Sequence, residues 1–222
     1  VEARDGHYGV SLDGRPIKTP QRAELVVANR ALAEAIADEW REQGDEIVPD
    51  EMPTMRYAAT TIDRVAPGRD EINQIVTAFG GHDLVCYRAE EADLAALQND
   101  LWQPLLDWLT QTHQAALVVT SGIVSVEQPG DAMSRLEAEV AAFSDGEIAA
   151  LHVMTSLTGS LVVALALAAG EIDVEGAWRA ATVDETHQAD NWGLDSEAEA
   201  RLANRHHELA DADRYLGLCR SQ

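Results

Sequence analysis

The sequence predicts an α+β fold: a small N-terminal β-containing domain followed by a larger all-helical C-terminal domain. Three observations carry this expectation. Residues Tyr8 to Leu12 alternate in polarity and run into Asp13-Gly14, a dipeptide suited to a tight hairpin turn. From the fifties onward, apolar residues recur at three- and four-residue intervals, the period of helices with one buried face. The stretch from Val153 to Gly170 has no charged residue at all, as a helix buried on every side would require.

The first strands continue through Ile17 and from Ala23 to Val27, with Pro16 and Pro20 restricting them to edge or irregular positions. Asn29 is placed to cap a helix running to Gln43, with Leu32, Ile36 and Trp40 on one stripe and Gly44 as its stop. A loop carrying Pro49 and Pro53 follows. Helices are then expected over Met55 to Val65 and from Pro67-Gly68 to Phe79, the latter ended by Gly80-Gly81. The helix from about Ala92 to Thr112 contains Pro104, which removes one backbone hydrogen bond. Two short apolar runs, Leu84 to Tyr87 and Leu117 to Thr120, suit either strands or buried turns. Further helices are expected from Asp131 to Phe143, Glu147 to Ala169, Val174 to Ala181, Asp184 to Trp192 and Ser196 to Leu218. The last carries a stripe of Ala198, Leu202, His206, Leu209 and Leu216. The change from β to α places a domain boundary at 1–63 and 64–222.

Composition narrows the function classes. The 222 residues are 46% hydrophobic, enough for a packed core. Thirty-nine acids against sixteen bases leave a formal charge of −23, which repels phosphate backbones and anionic lipid. Neither nucleic-acid binding nor membrane insertion is therefore expected. The run from Val153 to Gly170 includes Thr155, Ser156, Thr158 and Ser160, and its near flanks are acidic rather than basic, so it reads as a core helix and not a membrane span. Ser160 in particular reads as a core serine bonded to its own helix backbone. Cys86 and Cys219 form neither a disulfide framework nor a metal spacing, in keeping with a reducing compartment. The acidity and the lack of a recognisable leader point to a bacterial cytoplasm, or to a mitochondrial matrix in a eukaryote. A monomer is expected, since no heptad pattern is present.

Catalytic patterns find little support. There is no Gly-x-Ser-x-Gly, and Lys18 is the only lysine, so a phosphate-binding loop of the Walker type has no lysine to use. Neither a cofactor nor a catalytic residue is expected. The alternative with most chemistry behind it is a carboxylate/histidine metalloenzyme in the helical domain, built on Asp184-x-x-His187 with His206, His207 and Glu208 downstream. Di-metal helical sites need such a pair twice, and only one copy is present. Adjacent histidines on a helix also point roughly 100° apart.

The segment from Asp184 to Ala198 carries a different signal. As a helix it places Glu185, Gln188 and Trp192 on one stripe, with Gly193 as the stop. Among five tryptophans, Trp192 is the one expected at the surface, because Asp190, Asn191 and Asp195 surround it. An exposed indole beside a carboxylate and an amide suits contact with another protein. Glu185 has a second candidate role, since Thr182-x-x-Glu185 matches a capping box, as does Ser196-x-x-Glu199 for the final helix.

Read in order, the motifs resemble one family. They are Leu12-Asp13-Gly14-Arg15-Pro16 with Thr19-Pro20; Glu39-Trp40-x-x-Gln43; Pro49-x-x-Met52-Pro53; Ala59-x-x-Ile62-Asp63; and Asp83-Leu84-x-Cys86-Tyr87-Arg88-Ala89. Then follow Trp102-x-Pro104-Leu105-Leu106-x-Trp108, Thr120-x-Gly122-Ile123, Gly159-Ser160 and the segment from Asp184 to Ala198. Over about Gly9 to Ala200 this resembles the ATP-twelve family, assembly chaperones for the catalytic head of the F-type ATP synthase. The resemblance implies a chaperone without catalytic activity or cofactor, which binds the free α subunit and keeps it from aggregating until the β subunit takes over. It implies partner contact at Glu185, Gln188, Trp192, Asp195 and Glu197. Two departures stand out: His187 occupies a position where the family pattern has an aromatic, and Met55-Arg56-Tyr57 follows Met52-Pro53-Thr54 in place of the usual Leu-Thr pair.

Overall fold

Tight turns build the N-terminal sheets of the computed structural model, which describes residues 1–122, 124–193 and 195–221. Strands β1 (Glu2–Arg4) and β2 (His7–Gly9) pair across Asp5-Gly6, both in the left-handed region at φ 45° and 84°. Strands β3 (Ser11–Leu12) and β4 (Arg15–Pro16) pair across Asp13-Gly14, with φ 51° and 77°, the torsions of a primed hairpin turn. Strand β5 (Val26–Val27) joins β2, giving the order β1-β2-β5. The predicted alternation over 8–12 is thus split between two small sheets, with buried Val10 at the joint, where its carbonyl accepts from Ile17 N at 2.9 Å. Strand β1 went unpredicted because Glu-Ala-Arg has no apolar alternation; the Asp5-Gly6 turn alone places it.

Helix α1 (Arg30–Glu42) begins as predicted, with Asn29 Oδ1 accepting from Leu32 N at 2.8 Å. The same Asn29 donates through Nδ2 to the carbonyls of Leu218 and Cys219 at 2.9 and 3.1 Å, tying the helix start to the far end of the chain. Helix α2 (Pro53–Thr60) starts two residues earlier than expected and continues into a π-helical turn, Thr61–Val65. Its start is capped from another helix. The buried Glu39 carboxylate accepts from Thr54 N at 2.7 Å and Met55 N at 2.8 Å, two of the donors that a helix start leaves unpaired.

Helix α3 (Arg69–Gly81) runs through both glycines that were expected to stop it. Gly80 is instead a contact residue: a Cβ there would stand 2.8 Å from Leu136 Cδ1. The facing helix is α5 (Gly130–Ala142). Between them in sequence lie a 3-10 turn at Leu84–Cys86, strand β6 (Tyr87–Arg88), helix α4 (Ala92–His113) with Pro104 inside it, and strand β7 (Thr120–Ser121). Strands β6 and β7 form a two-residue parallel pair, so the short apolar runs end partly as turns and partly as strands.

The run expected as one helix over 147–169 is two. Helix α6 (Asp145–Thr158) ends at Gly159, with φ 67°, and helix α7 (Leu161–Ala169) restarts at Ser160. Ser160 is therefore an N-cap, with Oγ accepting from Val163 N at 3.0 Å, rather than a mid-helix serine. Thr158 plays the back-bonding role, donating to Met154 O at 2.8 Å. The break is held by Asp83, whose side chain is wholly buried. Its Oδ2 accepts from Val162 N at 3.0 Å and its Oδ1 from Val85 N at 3.2 Å. Burial pushes this carboxyl up to about 6, and its hydrogen bonds from Ser160, Val162, Val85 and Leu161 pull the other way.

Helix α7 is the centre of the molecule, with eight of its nine residues buried. It packs against α3, α4 and α6, and against helices α8 (Val174–Ala181) and α10 (Ser196–Arg220). The apolar core is one cluster from Val10 to Leu216. Position 63 lies within the helical run 53–65, and α2 packs on both α6 and α10. Among the described residues no helix is long and apolar enough to cross a membrane. The remaining helix, α9 (Val183–Trp192), matches the predicted span closely and carries the candidate site.

Candidate partner-binding surface

Helix α9 is attached mostly by polar contacts. Val183 is its only buried residue. At its start, Asp184 Oδ1 accepts from Gln98 Nε2 at 2.7 Å, and Gln98 Oε1 accepts from Ala89 N at 2.7 Å. Gln98, on α4, is 2% exposed, so both halves of its amide are used in a nearly dry setting. One turn on, His187 Nε2 lies 3.3 Å from Glu91 Oε1, and Asn191 Nδ2 donates to His187 O at 3.0 Å. The histidine that replaces the expected aromatic thus clasps α9 to the start of α4.

The Thr182–Glu185 capping box does not form. Thr182 Oγ1 donates to Trp178 O at 2.8 Å, closing the end of α8. Glu185 is left to face α10, where Arg205 Nη1 stands 3.5 Å away. Arg205 also donates to Leu157 O at 2.8 Å and lies over the Trp178 ring at 5.5 Å, so its guanidinium is held on three sides. At the other end, Gly193 closes the helix with φ 78° and ψ 167°, a region essentially reserved for glycine. That turn leaves Trp192 79% exposed.

Glu185, Gln188 and Trp192 line one side of a cleft of about 430 Å³, and Ala198, Arg201, Leu202 and Arg205 of α10 line the other. Asp195 and Glu197 do not line it. Asp195 is the N-cap of α10, with Oδ1 accepting from Glu197 N at 3.0 Å and Ala198 N at 2.8 Å. The expected capping box on Ser196 and Glu199 does not form, because the cap lies one residue earlier: Asp195 offers a carboxylate where Ser196 would offer a hydroxyl, and Ser196 becomes the first helical residue. Glu197 ion-pairs with Arg201 at 2.7 Å along the exposed face of α10. The α10 side of the cleft was readable in principle, since Ala198, Arg201, Leu202 and Arg205 follow helical spacing. Gln98 carried no such signal; a lone glutamine on a Leu-rich helix shows nothing of its burial.

The residues of the metalloenzyme alternative diverge. Asp184 is held by Gln98, His187 by Glu91, and His206 lies 2.9 Å from Glu175 Oε1 with its ring edge-on to Trp178. His207 is 81% exposed and lies 3.7 Å from Asp211. Among the described residues no group of three or more His, Cys, Asp and Glu side chains stands where it could hold a metal. Ile123 of the Thr120-x-Gly122-Ile123 motif, and Leu194 within the 184–198 segment, lie outside the described residues.

The Gln98 clasp has a measurable consequence. Gln98→Ala strands Ala89 N and one oxygen of Asp184, and is expected to cost about 1–3 kcal/mol. Amides over 184–192 should then exchange with deuterium faster than those of α7. Unchanged exchange in α9 would show that the clasp does not hold the helix.

Comparison with known proteins defines the class. Residues 1–110 match the family described as ATP12 chaperone protein. The crystal structure of Atp12 from Paracoccus denitrificans superposes with a TM-score of 0.96 at 38% identity, covering 99% of this chain and 94% of that one. An aspartate-to-lysine mutant of the same P. denitrificans protein gives 0.96 at 37% identity, with the same coverage. A candidate chaperone from Agrobacterium tumefaciens gives 0.93 at 38% identity, covering 97% of this chain and 81% of that one. The fold is thus that of a protein chaperone, and the structural matches extend it over α9 and α10, beyond the sequence match. The chain belongs to the ATP12 chaperone family.

Proposed function

We propose that the chain is a non-enzymatic assembly chaperone which binds the free α subunit of the F-type ATP synthase catalytic head and keeps it soluble until the β subunit pairs with it. The observation that carries this reading is the cleft between α9 and α10, with a 79% exposed tryptophan at its mouth, in a chain with the ATP12 chaperone fold. An α subunit without its partner exposes an apolar interface that self-associates. A holder for such a face has to cover it and then leave. That requirement favours a few aromatic anchors over a large dry interface. The net charge of −23 speeds encounter with a basic surface and adds little to residence time. The proposed partner contacts are Glu185, Gln188 and Trp192 within the cleft, with Asp195 and Glu197 beside it at the start of α10. The proposed compartment is the bacterial cytoplasm.

The test is capture of purified α subunit, read by light scattering on dilution from denaturant. The chaperone should suppress scattering, and added β subunit should release it. Glu185→Lys sets a cation against Arg205 and is expected to weaken capture about tenfold, with the melting midpoint within roughly 2–4 °C of the parent, because exposed pairs contribute little stability. An α subunit that precipitates equally with and without the parent chain would overturn the reading.

A further inference from the structure

Several motifs in the first third of the chain are not used by the α9–α10 cleft, yet they converge on one place. Pro20, Trp40, Pro49, Met52, Ala59 and Asp63, drawn from those motifs, line a groove of about 510 Å³ beside α2. Trp40, Ile47, Met52 and Met55 are among its apolar lining residues. Its walls are held apart by two carboxylates spent on backbone and hydroxyl donors. Glu39 clamps the start of α2 through Thr54 N and Met55 N. Asp63, at the end of the helical run, accepts from Thr19 Oγ1 at 2.6 Å and Gln21 N at 3.0 Å, fixing the Pro20 wall. A groove built this way is open before anything enters it, which lowers the ordering cost of binding.

We infer that this groove is a second docking site for the same client, and that it takes an apolar segment carrying a carboxylate. The inference rests on the client reading above. Ile47, in the lining, is 57% exposed, and so is poised to be covered. Met55, partly buried in the lining, is adaptable and suited to an apolar side chain of imperfect fit. Charge selects the carboxylate. A chain with 39 acids and 16 bases has few places where an acidic segment can land, and two of its arginines, Arg56 and Arg64, line this groove. The Asp63 carboxylate is occupied by its hydrogen bonds, and Arg56 is shared with the highly exposed Asp50 at 3.2 Å. Arg64 is exposed and enters no ion pair among the described residues, leaving it to meet the carboxylate. Two separated contacts on one client raise its retention by effective concentration, although each alone is weak enough to let go.

The experiment uses the whole chain and purified α subunit. A photoreactive amino acid is placed at position 47 in one protein and at position 192 in another, and Ile47→Asp/Arg64→Glu is assayed for affinity. Adducts with the α subunit from both positions, and a loss of at least about tenfold in affinity with unchanged melting for the double variant, are expected. An adduct from 192 but none from 47, with full affinity in the double variant, overturns the second site and leaves the client reading intact. An adduct from 47 to a second copy of this chain also overturns it, in favour of self-association. No capture of the α subunit by the parent chain overturns the client reading and this inference with it.

Discussion

An Asp83→Ala variant is expected to lose about 3 kcal/mol at pH 5, roughly a 6–12 °C lower melting midpoint for a chain of this length. The loss follows from what Asp83 joins. It is wholly buried, and its two oxygens satisfy Val85 N and Val162 N, one beside it in sequence and one at the start of α7. Alanine leaves both donors without acceptors in a dry interior and opens a small void beneath the helix that fills the core. The pH dependence has a definite sign. Burial raises this carboxyl to about 6, above its unfolded value, so the stability linked to it is full below the unfolded value and is lost as pH rises through about 6. The parent chain should therefore lead the variant by most at acidic pH, and the lead should shrink towards pH 7.5. Denaturant midpoints of both proteins across that range measure it. A lead that widens with pH would mean that the donors around Asp83 outweigh its burial.

Trp192→Ala is expected to have the converse profile: little effect on stability and a large effect on binding. A side chain 79% exposed contributes almost nothing to the core, so the melting midpoint should stay within about 2 °C. Tryptophans at the centre of an interface typically carry about 2 kcal/mol or more, so the affinity for α subunit should fall roughly thirtyfold. Gln188→Ala, on the same side of the cleft, should cost less, because an exposed amide exchanges one set of hydrogen bonds for another. Calorimetric titration against purified α subunit separates the two. Undiminished affinity in the tryptophan variant would remove the α9–α10 cleft from the client interface and leave the fold assignment as it stands.

Spacing placed Glu185, Gln188 and Trp192 on one stripe, and they do line one cleft. Spacing could not separate Asp195 and Glu197 from them, because whether a carboxylate caps a helix or faces a partner depends on where the backbone turns. Nor could it supply Arg205, which reaches Glu185 from the next helix. The N-terminal groove was invisible for the same reason. Its motifs follow one another along the chain, but their meeting in space requires Glu39 and Asp63 to bond elements 15 and 44 residues away.

What the sequence determined by itself is what local chemistry controls. Periodicity set which stretches are helical, Asn29 and Gly193 set where two of them begin and end, and a charge-free run announced the buried α7. Gly159 and Ser160 are a local stop and start for α6 and α7, but within a charge-free run they did not reveal a break, and tertiary structure added the acceptor that holds it, Asp83, from 79 residues away. Tertiary structure alone made Gly80 a packing contact instead of a helix stop, because Leu136 occupies the space a side chain would need. Hydrogen-bond donors and empty volume are satisfied by whatever lies nearest in space, and nearness in space is a property of the assembled chain.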